Sequence, residues 1–92
     1  MKSKRFVHIG FNFEGGDPPV LEMEKTFNKA GDWIRYDAHC WILYTALDLN
    51  VWRDRIRKIP GMEEASFMLV EFDKSAGWME KWIWEWIEER SK

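Results

Sequence analysis

Cysteine is nearly missing from this chain. Cys40 stands alone among 92 residues, so no internal disulfide can staple the fold. One thiol and two histidines, His8 and His39, are too few soft ligands for a zinc site. No apolar run approaches the ~18 residues of a membrane-spanning helix, so no membrane partner is expected. Charge of one sign is lacking as well. Fourteen Lys and Arg against sixteen Asp and Glu leave a net −2, so no overall field draws the chain to nucleic acid or anionic lipid. A phosphate-cradling loop is also absent, since Gly15-Gly16 lacks the following Gly-Lys-Ser/Thr or a second spaced glycine. Nothing in the first residues reads as a secretory leader, and a cytoplasmic setting is expected.

What the chain has is a folding composition. Charged residues at 33% and hydrophobic ones at 46% describe a globular protein and not a disordered one. Its length fits one domain, 1–92, whose small core would gain from a partner subunit. The centre, residues 31–45, reads as two strands joined by a tight turn. Trp33, Ile34, Tyr36, Trp41, Ile42, Tyr44 and Thr45 are the aromatic and β-branched types that suit a pleated surface. Asp37-Ala38 supplies the turn, because an Asp side chain can bond its own backbone two residues on. A strand over 4–13 and a helix over 18–30 precede this hairpin. A helix over 49–58, a strand over 65–72 and a helix over 77–90 follow it. The order β-α-β-β-α-β-α predicts an α+β split βαβ sandwich, core about 4–72, with an additional C-terminal helix.

Alternation assigns the faces. Val7, Ile9, Phe11 and Phe13 should meet the helices, leaving Phe6, His8, Gly10 and Asn12 on an open face suited to a subunit interface. Asp17 and Pro18 predict the start of the first helix and Gly31 its stop, with Val20, Met23, Phe27 and Ala30 inward. Glu22, Glu24, Lys25 and Lys29 make its solvated side. Asp48 is placed to cap the second helix, whose apolar stripe is Leu49, Trp52, Ile56 and Ile59.

Four sets of residues are candidates for function. Arg53, Arg55, Arg57 and Lys58 form the only dense basic cluster. They suit a phosphate backbone, or else a polar helix face whose cations favour the C-terminal end of the dipole. In the last helix Trp78, Trp82, Trp86, Met79, Ile83 and Ile87 share one side, expected to pack inward, while Trp84 falls among charges. A large aromatic there reads as an anchor for another chain. His8 and His39 are expected on the sheet face away from the helices and near each other, as interface groups or as an acid–base or metal pair. Cys40 reads as a small buried hydrophobe, since strand neighbours such as His39 point to opposite faces.

The runs Ile9-Gly10-Phe11-Asn12, Gly31-Asp32-Trp33, Cys40-Trp41-Ile42-Leu43-Tyr44-Thr45, Trp52-Arg53-Asp54-Arg55-Ile56 and Phe67-Met68-Leu69-Val70 carry a resemblance across residues 4–72. The chain resembles the SinR-like proteins, relatives of the small CRISPR-associated adaptation subunit and of the VapD ribonuclease toxins. That resemblance implies a ferredoxin-like fold and a homodimer made through the sheets. In the broader family an aspartate at the end of the first strand is implicated in holding a divalent metal for phosphodiester hydrolysis. The matching position here is Asn12, whose amide carries no charge and cannot act as a carboxylate base. His39-Cys40 also replaces the family's small hydroxyl residue before the hairpin tryptophan.

The leading expectation is therefore a non-catalytic homodimeric binding module, with no cofactor, that recognises a protein and in some settings nucleic acid. Its interface candidates are Trp84, Trp78, His39 and Phe6. The alternative is a Mg²⁺- or Mn²⁺-dependent endonuclease or toxin using Asn12, Glu14, Asp17 or His8. A third reading is a plain nucleic-acid binder acting through Arg53, Arg55, Arg57 and Lys58.

Overall fold

The computed structural model describes residues 3–91. The elements run β1 (Arg5–Asn12), α1 (Val20–Phe27), β2 (Asp32–Asp37), β3 (Cys40–Thr45), α2 (Leu49–Arg57), β4 (Ser66–Phe72) and α3 (Lys81–Arg90). The four strands form one antiparallel sheet in the order β2-β3-β1-β4. Among the described residues no helix is long and apolar enough to cross a membrane.

Alternation along β1 sorts two cores. Val7, Ile9, Phe11 and Phe13 join Trp41 and Leu43 of β3 against Met23 and Phe27 of α1 and Trp52 and Ile56 of α2. Trp41, Trp52 and Phe27 are fully buried there, and each contributes roughly 2–3 kcal/mol of transfer free energy. One hydroxyl fixes α2 to the sheet. The Trp52 indole N–H and the Leu47 backbone N–H both donate to Thr45 Oγ1, at 3.0 and 3.1 Å.

The opposite face is not open along its whole length. Ile83 of α3 packs with Phe6, Ile34 and Ile42, and Tyr36, Tyr44, Phe72, Trp86 and Ile87 surround them. Phe6 is therefore buried within its own chain instead of lying free at an interface. Arg90 locks the far end of α3 to β2. Its Nε donates to Asp32 Oδ2 at 3.0 Å, its Nη2 donates to the same oxygen, and its Nη1 donates to the Trp86 carbonyl at 2.9 Å. The near end lies over β1 and β4, where Met79 and Trp84 line a cleft with His8 and Phe72. Thus α3 crosses the sheet from the β4 edge to the start of β2.

Element ends depart from expectation for local reasons. Asp17 does not cap α1. Pro19 holds the N-cap position at φ −77°, ψ 69°, and consecutive prolines push the residues before them out of the α region. Gly31 lies beyond the helix, which ends at Phe27, and is needed for close approach, since a Cβ would sit 2.8 Å from the Tyr44 carbonyl oxygen. Asp48 does hold the N-cap position of α2, and its carboxylate lies 3.5 Å from Arg5. Asp37 turns the hairpin as expected, accepting from the His39 backbone N–H at 3.1 Å. The last helix starts at Lys81 instead of residue 77. The Trp82 indole donates to Glu80 Oε2 at 2.8 Å, and Gly77 folds back toward the Trp84 ring.

Candidate functional site

Where α3 stops covering the sheet, the even-numbered residues of β1 come to light. Gly10 has nothing within 4 Å of where a Cβ would stand, and it pairs with Cys40 on one side and Met68 on the other. His8 lies half-buried between Ile42 and Val70. The Tyr36 hydroxyl and His8 Nε2 share a hydrogen bond, with ring centroids 5.6 Å apart. Burial lowers the imidazole's pKa from its ordinary value. Burial, then a hydrogen bond and charge interaction with Cys40 and the charge of Asp37, push the Tyr36 phenol up to about 12. A neutral imidazole and a protonated phenol at neutral pH form a satisfied pair at the inner end of an apolar cleft. Ile42, Phe72, Ala76, Met79, Ile83 and Trp84 supply the walls, and its volume is about 190 Å³.

The sequence candidates do not assemble into an acid–base or metal centre. His39 sits in the hairpin turn with its ring 5.6 Å from that of Phe13, a residue of the helix-side core, so it does not meet His8. Asn12 spends its amide oxygen on the Glu14 backbone N–H at 3.0 Å, which closes the loop after β1. Glu14 is exposed, at a left-handed φ of 51°. His8 and Asn12 stand four positions apart, about 13 Å along a strand rising ~3.3 Å per residue, too far to share one cation. Among the described residues no three His, Cys, Asp or Glu side chains form a group able to hold a metal ion. Within one copy, His8, Asn12 and Glu14 therefore do not gather around a common cation.

Two cations of the basic cluster have local partners. Arg53 Nε donates to Asp54 Oδ1 at 3.0 Å, and Arg55 lies over the Trp52 ring at 5.5 Å. Arg57 and Lys58 flank Asp54, and Arg53 and Arg57 border a shallow hollow with Glu63. Arg53 and Arg55 thus have an acid and a ring close by within the chain.

Apolar exposure is concentrated instead. Among the described residues seven large apolar side chains are exposed: Leu21, Val51, Met68, Val70, Trp78, Met79 and Trp82. Five of the seven fall on β4, on the connection from β4 to α3, or in the first turn of α3. Trp78 is wholly exposed and Met68 is 70% exposed. Trp84, the tryptophan singled out from the sequence, is half-buried in the cleft wall with Gly77 behind it. A helical wheel begun at residue 77 puts Trp78 and Trp82 inside and Trp84 outside. The true start at Lys81 takes Trp78 off the helix, and α3 settles on Ile83, Trp86 and Ile87. The overlooked residues were Met68 and Val70. Their alternation with Phe67 and Leu69 placed them opposite the helices, and the short span of α3 leaves them uncovered there.

Comparison with known proteins finds no matching family model, no matching curated protein and no matching solved structure.

Proposed function

We propose that this chain is a non-catalytic, homodimeric binding module that recognises a protein partner through the flank formed by β4 and the start of α3. One observation carries the reading: among the described residues, five of the seven exposed large apolar side chains fall between positions 68 and 82, two of them tryptophans. Scattered apolar residues are ordinary on a surface, but a contiguous group marks an interaction site. Tryptophan is over-represented among the residues that dominate binding energy. The antiparallel order β2-β3-β1-β4, with α1 and α2 on one face, supports reading the domain as a ferredoxin-like split βαβ sandwich extended by α3. The likeness to SinR-like proteins extends the proposal to an accessory factor or inhibitor of a defence complex, with nucleic acid entering through the partner.

Affinity capture from nuclease-treated host lysate tests this. Wild-type protein should retain a stoichiometric protein partner, and the Trp78→Ala/Trp82→Ala double variant should bind it about tenfold or more weakly. Equal capture by the variant would remove the role of the flank. Recovery of nucleic acid alone, cleaved on adding Mg²⁺ or Mn²⁺, would favour the nuclease reading instead.

A further inference from the structure

The sheet has two edges of opposite character. β2, Asp32–Asp37, carries Asp32, Arg35 and Asp37 in six residues and breaks register between Arg35 and Asp37. Charges and irregular register are the devices by which natural sheets keep an edge from pairing. β4, Ser66–Phe72, has none of them. It pairs without interruption over seven residues with β1, contains no Pro, Gly or Lys, and has Glu71 as its one charge. That carboxylate forms an ion pair with Arg5 of its own chain. An uncovered regular edge of this kind is a template for another strand.

We infer that the strand it takes is β4 of a second copy, paired antiparallel about Leu69 into a continuous eight-stranded sheet; this rests on the proposed binding role of the β4 flank. A two-fold axis normal to the sheet keeps each face on its own side, so facing residues must share a face. Centring the axis on Leu69 puts Met68 opposite Val70 of the partner subunit, and the reverse. Two half-bare apolar side chains from each copy then cover one another as cross-strand neighbours. The same register sets Glu71 against Phe67 of the partner subunit, so no like charges meet. The Phe72 end of each strand, from which the connection to α3 departs back over its own sheet, thereby lies beside Ser66 of the partner subunit. An unrelated peptide strand would pair with the edge without giving Met68 and Val70 this reciprocal cover. Pairing by the two-fold also closes the assembly, because only the charged, bulged β2 edges remain outside.

Sedimentation equilibrium of the full chain tests the pairing. Wild type should sediment at twice the 11.1 kDa of one chain. Met68→Lys/Val70→Lys should raise the dissociation constant by about tenfold or more, because both cross-strand pairs become Lys against Lys. Met68→Glu/Val70→Glu should do the same, and an equimolar mixture of the two variants should restore the dimer. Leu21→Lys, on α1, serves as the control and should leave it intact. A wild type that stays monomeric at every concentration overturns the inference, as does a dimer indifferent to both charge variants. Partner capture on the same samples is read separately. A monomer whose capture still depends on Trp78 and Trp82 leaves the binding role standing without the pairing.

Discussion

Thr45 links a strand end, a helix and a loop through one oxygen. It is 1% exposed, and two N–H groups point at it. Thr45→Val keeps the shape and leaves the Trp52 and Leu47 donors without their acceptor. An unmet buried donor costs about 1–3 kcal/mol, so the urea midpoint should fall by that equivalent. His8 and Tyr36 define the pH response. The folded protein holds the imidazole below its ordinary value of 6.5, so the unfolded chain binds more protons just below that pH. Stability is thus lost as pH falls from 6.5 toward the folded value, and His8→Gln should flatten this limb in denaturation series between pH 7.5 and 5. The phenol of Tyr36 works at the other end. Its stabilising share is complete below pH 10 and is lost as pH rises toward about 12, a late ionisation that Tyr36→Phe should remove from an ultraviolet titration. Single residues with a local partner were readable in the sequence, as Asp37 in its turn shows. Tyr36 was legible as a strand residue but not as the partner of His8, because that contact spans the intervening strand β3.

At the scale of elements, α3 decides which surfaces are free. Its strongest apolar anchor is Ile83, 4% exposed among Phe6, Ile34 and Ile42. Ile83→Ala should cost about 2–5 kcal/mol and raise amide exchange across 81–90 more than in α1 or α2. Its polar anchor is the Arg90–Asp32 pair. Burial pushes the Asp32 carboxyl up, yet the Arg90 hydrogen bond, the Trp33 backbone N–H and the Arg90 charge together hold it below its ordinary value. That contribution is present above pH 3.8 and is lost as pH falls through the folded value. The strands and the inward faces of the first two helices were legible because periodicity agrees with burial there. The start of α3 was not. Residues 77–80 continue a helical apolar pattern, and only the packing of Gly77 near Trp84 and of Glu80 on Trp82 shows that the chain stays extended there. The identity of the exposed tryptophans hung on that one boundary.

For the whole molecule, the asymmetry of the sheet edges sets the account. Alternation along β1 predicts an open sheet face suited to a subunit interface, but α3 of the same chain lies over much of that face. What stays available is the uninterrupted β4 edge, with Met68 and Val70 beside it and the connection bearing Trp78 and Met79 at its end. Edge character was partly written in the sequence, since β4 has one charge where β2 has three. The strand order that makes both of them edges came only with the structure. Pairing is read most directly from residue-resolved amide exchange in β4 of the unmodified protein at increasing concentration. In an antiparallel edge strand, alternate N–H groups face β1 and the rest face outward. Pairing of β4 with a second copy predicts slow exchange at the inward set throughout, with the outward set slowing as concentration rises. Outward amides that exchange freely at every concentration, beside protected inward ones, would contradict it.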